Sequence, residues 1–163
     1  MTGDAAVTPI PLVDIMPGDN DRTRFQHQAL RELADNIKDH GLAQPITLRL
    51  VGQGYQIVAG ERRFRAFKLL EKEQPNRWTA IPAIIRDYTD EQADAIMLAE
   101  NLHRADLDPI DEALAYQKRI DRYGWAITEL AKRANVTSGR VSSRLKLLKL
   151  IPEVQHLVKF GNM

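Results

Sequence analysis

Short apolar runs in the first half of the chain predict β-strands. Each run is five or six residues long, is rich in apolar residues and lies close to Gly, Pro or polar residues. The runs are Ile10–Ile15, Pro45–Leu50, Tyr55–Ala59 and Ile81–Ile85. Val51–Gly54 (VGQG) separates the second run from the third, which predicts a hairpin. The preceding segment, Met1–Thr8, has the pattern of a frayed terminus.

Apolar positions spaced three to four residues apart predict helices between and after these strands. One helix presents Leu30, Leu33, Ala34 and Ile37 on a single face. It is expected to end at Gly41, which suits a left-handed cap. A second helix is predicted at Glu61–Lys72, directly after Gly60.

From about residue 88 onward the pattern is helical. Thr89 and Gln92 have the spacing of a capping box, which opens a helix running to about Arg104. The next helix is expected to begin at Asp108, which a proline follows, and to end at Gly124. Its predicted inner stripe is Ile110, Ala113, Leu114 and Gln117. The helical pattern then continues to residue 150, so a small mixed α/β unit precedes an all-helical one.

Composition narrows the class of protein. Hydrophobic residues make up 44% of the chain and charged residues 28%, as in an ordinary soluble globular protein. The absence of cysteine excludes disulfides and thiolate metal sites, and it fits a cytoplasmic protein. The four histidines are scattered, which argues against a zinc enzyme. No apolar run is long enough to span a membrane, and no signal peptide is evident.

Charge is distributed unevenly although the net value is only +1. Residues 126–163 carry seven basic and two acidic side chains, a net charge of +5, whereas the remaining residues carry 16 basic and 20 acidic, a net charge of −4. A basic segment on an acidic body favours a polyanionic partner. The alternative is a solvated charged helix.

The segment Ala59–Ala66 (AGERRFRA) has the features of a phosphate site. Glycine at a strand end permits a tight turn, and the helix that follows directs its N-terminal amides toward a ligand. Three guanidinium groups, which match phosphate geometry, follow within four residues; they belong to Arg62, Arg63 and Arg65. The alternative is a basic surface helix in which Glu61 only complements the helix dipole.

The segment Ala99–Ala113 (AENLHRADLDPIDEA) offers a second group of polar side chains. Glu100, Asn101 and Arg104 lie near the end of one helix. They could supply two oxygen ligands for Mg²⁺ and a guanidinium for phosphate. Taken alone, the segment favours an ordinary helical ion pair between Glu100 and Arg104.

Residues Ile127–Leu148 have the pattern of a helix-turn-helix. Leu130 and Ala131 are expected to pack against Val141 and Leu145 across a turn at residues 135–137. The N-terminal residues of the second helix would face the major groove; they are Thr137, Ser138, Gly139, Arg140, Ser143 and Arg144. Arg140 and Arg144 are the expected base readers, and Lys146 and Lys149 the expected phosphate contacts. The alternative is a helical hairpin in a bundle core, but the basic bias favours DNA.

With these motifs in order, the chain resembles the ParB family of chromosome and plasmid partition proteins. Gly60–Ala66 (GERRFRA) resembles the family's first signature box, and Glu100–Ala113 its second. The resemblance covers residues 10 to about 155. It implies an α+β protein with a small mixed-sheet, ParB/sulfiredoxin-like N-terminal domain at 1–106 and a helical DNA-binding domain at 107–163.

The resemblance also implies the ligands. CTP would be held by Gln44, Pro45, Gly60, Glu61, Arg62, Arg63, Arg65, Glu100, Asn101 and Arg104. Mg²⁺ would lie on Glu100 and Asn101, and slow CTP hydrolysis would depend on Glu61 and Glu100. The implied partners are double-stranded DNA with a parS-like site, a second copy through the N-terminal domain, and a ParA-type ATPase. No membrane partner is implied. Nucleotide would favour a closed clamp around DNA, associated with a nucleoid or plasmid.

Several positions depart from the family pattern. Pro17–Phe25 stands where the family has an NPxQPR-like stretch that contacts the base. Ala126 replaces a hydroxyl cap, and Ser138 replaces a basic residue, which favours a DNA site unlike the widespread one. Family members continue into a further dimerisation domain, so we expect the chain to be a piece of a longer protein.

Other proteins with this fold set the rival functions. Sulfiredoxins need a catalytic cysteine, which this chain lacks. A free-serine kinase would not require the helix-turn-helix, and a nuclease would require a carboxylate and histidine cluster that is not evident. The main alternative is a DNA-binding transcriptional regulator with vestigial or no use of nucleotide.

Overall fold

The computed structural model describes residues 6–17, 27–102, 108–150 and 152–159 of the chain. The strands in these ranges are β1 (Val7–Pro11), β2 (Ile15–Met16), β3 (Ile46–Val51), β4 (Gly54–Ala59) and β5 (Ala80–Ile85). The α-helices are α1 (His27–His40), α2 (Glu61–Glu73), α3 (Asp90–Leu102), α4 (Pro109–Tyr123), α5 (Ile127–Ala134), α6 (Ser138–Leu147) and α7 (Pro152–Lys159). Contacts divide the chain into two compact units, Met1–Ala93 and Asp94–Met163. This division falls within α3, and the boundary expected between 106 and 107 stays a prediction.

The first unit is built on a mixed five-stranded sheet with the order β1-β5-β3-β4-β2. β3 and β4 form the predicted hairpin, in which Val51 lies opposite Gly54 and Gly52 adopts a φ of 61°. β3 is parallel to β5, and β1 is antiparallel to β5. The core packs sheet residues against α1 and α2; it includes Ile46, Leu48, Ile57, Ile81, Ala34, Ile37, Phe64, Phe67 and Leu70. A mixed sheet with helices, followed by an all-helical unit, confirms the α+β class.

The sequence predicts one strand at Ile10–Ile15 behind a frayed terminus, and this prediction is wrong. β1 already begins at Val7, and a 3-10 turn at Leu12–Asp14 separates it from β2. Leu12 is buried in this turn, and its N–H donates to the Thr79 carbonyl at 2.9 Å. Burying Leu12 therefore turns the chain out of β1, and the two strands lie at opposite edges of the sheet.

Local capping signals predict the helix ends correctly. The Thr89 N–H donates to Gln92 Oε1 at 3.0 Å, and the Gln92 N–H donates to Thr89 Oγ1 at 3.2 Å, which is a complete capping box. The Asp108 carboxylate accepts from the Ile110 N–H at 2.7 Å at the start of α4. Gly124 ends α4 with a left-handed φ of 67°.

The buried face of α4 differs from the predicted stripe. The spacing of Leu114 assigns it to the inside, but its exposed fraction is 52%. The buried face includes charged side chains instead; it consists of Ile110, Glu112, Ala113, Ala115, Tyr116 and Arg119. Arg119 Nη2 donates to Asp94 Oδ1 on α3 at 2.6 Å, and the Arg119 side chain is fully buried. The hydrophobic period of α4 therefore predicts Ile110 and Ala113 correctly, but it wrongly includes Leu114 and misses the charged side chains on the buried face.

Candidate nucleotide cradle and DNA-reading helix

Gly60 joins β4 to α2 in a conformation that glycine alone adopts readily. Its φ is 102°, and it occupies the N-cap position of α2. A Cβ at this position would lie 2.7 Å from Ile46 Cγ2 and 3.1 Å from Arg63 Nη2. The amides of the first turn of a helix have no acceptor within the helix itself, and the positive end of its dipole lies there. The junction therefore combines a sharp turn with a surface suited to an anion.

Arg63 connects this junction to the loop before β3. Its Nη1 donates to the Gln44 carbonyl at 2.8 Å and to the Pro45 carbonyl at 2.7 Å. Three residues that the family resemblance assigns to nucleotide binding are thus brought together by one guanidinium. Their contact with a nucleotide stays a prediction.

The other charged residues of this segment make contacts of their own. Glu61 is buried, and its Oε1 accepts from Arg65 Nε at 2.8 Å. Its Oε2 is buried without a hydrogen-bond donor among the residues that the structure describes. Arg62 Nη2 approaches the Ala29 carbonyl at 3.5 Å. A buried carboxylate oxygen without a donor is costly, so we expect a water molecule or a bound ligand to donate to it.

The second box lies in the second compact unit. Glu100 is half-buried and Asn101 is buried, both in the last turn of α3. Arg104 lies outside the described residues, so its pairing with Glu100 stays a prediction. Within the described ranges, no group of three or more His, Asp or Glu side chains could hold a metal ion by itself. A magnesium site here would need phosphate oxygens and water to complete it, as is usual for this ion.

The turn between α5 and α6 has the predicted geometry of a helix-turn-helix. Asn135 ends α5 with a φ of 54°, and Thr137 Oγ1 accepts from the Arg140 N–H at 3.2 Å to cap α6. Leu130 packs with Val141 in the core of the second unit. The sequence predicts this turn because its main signal, the hydroxyl cap of Thr137, is local.

Helix α6 and the residues flanking it expose most of the predicted DNA-binding side chains. The exposed residues are Thr137, Ser138, Gly139, Arg140, Ser143, Lys146 and Lys149. Arg144 is half-buried. Lys146 and Lys149 follow the exposed residues at the start of α6. Base contacts by the first residues of the helix and phosphate contacts by these lysines stay a prediction.

Glu112 on α4 contacts both candidate base readers. Its Oε1 accepts from Arg140 Nε at 2.7 Å, and its Oε2 accepts from Arg140 Nη2 at 3.1 Å and from Arg144 Nε at 3.0 Å. Tyr116 Oη also donates to Oε1 at 2.7 Å. Burial alone raises the pKa of the Glu112 carboxyl, but hydrogen bonds from Arg140, Tyr116 and Arg144 outweigh it and hold the pKa below 4.5. Glu112 is therefore ionised at neutral pH.

Sequence reasoning misses Glu112 and Tyr116. A signal for them exists, because Arg140 and Arg144 are four residues apart and share one face of α6. Glu112 lies between Ile110 and Ala113 in the sequence, but the predicted stripe of α4 assigns it to the outer face. A pair of arginines on one helix face favours an acidic partner on a packed neighbour, and only the folded chain identifies that partner as Glu112.

Comparison with known proteins identifies related sequences and structures. The ParB N-terminal domain profile matches residues 2–102, and the ParB HTH domain profile matches residues 105–163. The chromosome-partitioning protein Spo0J of Thermus thermophilus is 38% identical over 98% of this chain and 57% of its own length. A nucleoid occlusion protein of Halalkalibacterium halodurans is 39% identical over 91% of this chain and 51% of its own length. The chain thus spans about half the length of the curated relatives it matches.

Two crystal structures of the C-terminally truncated chromosome-partitioning protein ParB of Caulobacter crescentus are similar to the chain. Both are 28% identical and cover 96% of this chain. The complex with the centromeric parS site has a TM-score of 0.70 and is covered over 79% of its length. The complex with CTP-gamma-S has a TM-score of 0.50 and is covered over 86%. Within the ranges that the structure describes, no helix has the length and apolar character needed to cross a membrane.

Proposed function

The chain belongs to the ParB family, and on this premise we propose that it is a DNA-partition protein that binds a parS-like duplex and is switched by CTP. The observation that carries the proposal is the similarity, over nearly the whole chain, to one ParB protein seen both on parS and with a CTP analogue. The local geometry supports it, because the chain has both a basic exposed helix and a glycine-led helix N-terminus.

In the proposed DNA complex, α6 enters the major groove. Arg140 and Arg144 contact base edges, because arginine is the commonest specific reader of guanine. Lys146 and Lys149 contact phosphates and contribute affinity that weakens with salt. The hydroxyls and backbone at the start of α6 complete the contact surface.

In the proposed nucleotide complex, the first turn of α2 holds the phosphates. Arg62, Arg63 and Arg65 supply positive charge beside it. Glu100, Asn101 and Arg104 are the further residues proposed to bind the nucleotide. Mg²⁺ would bind Glu100 and Asn101 and neutralise part of the phosphate charge. Glu61 and Glu100 are the proposed hydrolytic residues, and the buried oxygen of Glu61 that lacks a donor supports its assignment.

The two activities are proposed to act together in a clamp. CTP would favour a closed state in which two N-terminal domains contact each other around DNA, and slow hydrolysis would reopen it. Such a shift requires that CTP bind the closed state more tightly than the open one. A ParA-type ATPase is the proposed partner of the full-length protein.

Calorimetric titration of CTP tests the nucleotide part of this proposal. ATP, GTP and UTP serve as controls, each in Mg²⁺ with cognate or random duplex. CTP-selective binding that is lost in Arg63→Ala and kept in Arg86→Ala supports the cradle, because Arg86 is an exposed arginine elsewhere in the first unit. Equal binding of all four nucleotides would leave the phosphate cradle and remove the selectivity for cytidine. No nucleotide binding by a folded protein that still binds DNA would favour a plain DNA-binding regulator.

Binding of fluorescent duplexes tests the DNA part. Arg144→Ala should weaken binding of the cognate duplex and leave CTP affinity unchanged. If the affinity for DNA survives this change, the reading face lies elsewhere on α6.

A further inference from the structure

The carboxylate of Glu112 is saturated by donors that converge from two helices. A carboxylate has about four lone-pair positions. All four are used here. Oε1 accepts from Tyr116 and Arg140, and Oε2 accepts from Arg140 and Arg144. The Glu112 side chain is 1% exposed, so water does not compete for these positions. The hydrogen bonds from Arg140 and Arg144 to Glu112 therefore form a joint between α4 and α6.

Glu112 leaves the end edges of both guanidinium groups unoccupied. Arg140 uses its Nε and Nη2, the side edge of the guanidinium. The end edge, with Nη1 and the second hydrogen of Nη2, is the one that can donate two parallel hydrogen bonds to a further acceptor. Arg144 engages Glu112 through Nε. The exposed fractions of the two side chains are 41% and 34%, so solvent and ligands reach them.

Glu112 is itself held by contacts within α4. Glu112 lies in the first turn of α4, which Asp108 caps. Tyr116, one turn later in α4, is fully buried and donates a hydrogen bond to Glu112 Oε1. An unrestrained arginine loses considerable rotamer freedom when it binds, whereas one that is already held loses less. Holding the side chain before binding therefore favours the single arrangement that matches one base sequence.

We propose that Glu112 is a positioning residue that sets the DNA sequence specificity of this chain by holding Arg140 and Arg144 in the orientation in which they read base pairs. The inference rests on the proposed DNA-binding function. Glu112 does not touch the DNA in this arrangement; it acts through the two arginines. A competing role is that Glu112 masks the arginines and must release them when DNA binds.

Selection from a randomised duplex pool, followed by sequencing, identifies the preferred DNA site and measures how strongly it is preferred. Glu112→Gln keeps the size of the side chain but turns an amide N–H₂ toward the guanidinium donors, so at least one arginine is released. The ratio of affinities for the selected and random duplexes should fall by about tenfold, the effect of freeing one or two side chains. Affinity for random duplex should not fall, because both positive charges remain.

A matched control separates this effect from a general loss of charge. Glu129→Gln removes the same charge from α5, where the carboxylate holds Arg133 rather than an arginine of α6. It should leave the selected sequences unchanged. A folded Glu112→Gln that selects the same sequences as the unaltered chain, with the same preference, would overturn the inference. Failure of the unaltered chain to enrich any sequence would instead overturn the proposed DNA function.

Hydrogen exchange of the arginine Nε–H groups, followed by NMR, tests the inference without altering Glu112. Arg140→Lys and Arg144→Lys assign the two signals. Both protons should exchange slowly in the free protein and remain slow when the selected duplex is added. Faster exchange in the complex would show that DNA breaks the joint, and the masking role would replace the positioning role. A Glu112→Gln variant that fails to fold leaves this measurement decisive.

Discussion

Replacing Gly60 with alanine tests the geometry of the β4–α2 junction. Two costs add at this position. A left-handed φ costs a residue with a Cβ about 1–2 kcal/mol. The new Cβ would also lie 2.7 Å from Ile46 Cγ2, and overpacking of this kind costs about 1–3 kcal/mol. Ile46 is fully buried and β-branched, so it has little freedom to move away.

The free energy of unfolding of the first unit should therefore fall by about 2–5 kcal/mol in Gly60→Ala. Gly41→Ala is the matched control, because Gly41 has a φ of 81° but no atom within 4 Å of the added Cβ. It should show the conformational cost alone, about 1–2 kcal/mol. The difference between the two variants then measures the contact with Ile46.

Urea denaturation followed by tryptophan fluorescence measures both variants. Trp78 reports on the first unit, provided that Trp125 of the second unit is replaced by phenylalanine in every protein compared. A loss in Gly60→Ala no greater than that in Gly41→Ala would refute the reasoning. The β4–α2 junction would then have enough space for a side chain, and the glycine would not be required by packing.

Three further predictions concern the second unit, where Trp125 fluorescence reports urea unfolding. The pKa of Glu112 lies below its ordinary value of 4.5, so the ionised carboxylate stabilises the folded chain fully above about pH 4.5, and this contribution is lost as the pH falls through the lower pKa of the folded state. Acidification from pH 7 to 3 should therefore lower the free energy of unfolding of Glu112→Gln less than that of the unaltered chain. An equal loss in both proteins would contradict this. Asp94→Ala should cost about 3–5 kcal/mol, because it removes the carboxylate that pairs with buried Arg119; a cost below 1 kcal/mol, on the order of a surface pair, would mean that water reaches the site. Thr137→Ala should cost about 0.5–2 kcal/mol through loss of the α6 cap, whereas Thr137→Ser should be nearly neutral, and equal losses in both would exclude the hydroxyl as the cause.

The sequence predicts most of the element ends because their signals are local. A capping box such as that of Thr89 and Gln92 acts within one turn of helix, and Gly124 ends its helix through its own φ preference. The hairpin between β3 and β4 is predicted for the same reason. In each case the residues that determine the structure are neighbours in the chain.

The buried charges could not be predicted in this way. Glu112 is stabilised inside the second unit by arginines 28 and 32 residues later in the chain, and Arg119 by an aspartate 25 residues earlier. Periodicity counts each of them as an outward position and moves Leu114 inward. The nucleotide residues are predictable in part, since the resemblance groups Gln44, Pro45 and Arg63, but only the folded chain shows Arg63 joining the loop to the helix.

Both outer strands of the sheet come from one ten-residue segment, residues 7–16, which passes from one edge to the other through the buried turn at Leu12. A strand that loses its neighbour exposes N–H and C=O groups on which another chain can pair. If a protease removed this segment, β5 would lose its partner from Ala80 to Ile84, and β4 would lose its partner at Tyr55 and Gln56. Two open edges on one sheet allow growth in both directions. Trimmed molecules are therefore expected to associate through these edges, so that residues 7–16 protect the sheet against aggregation.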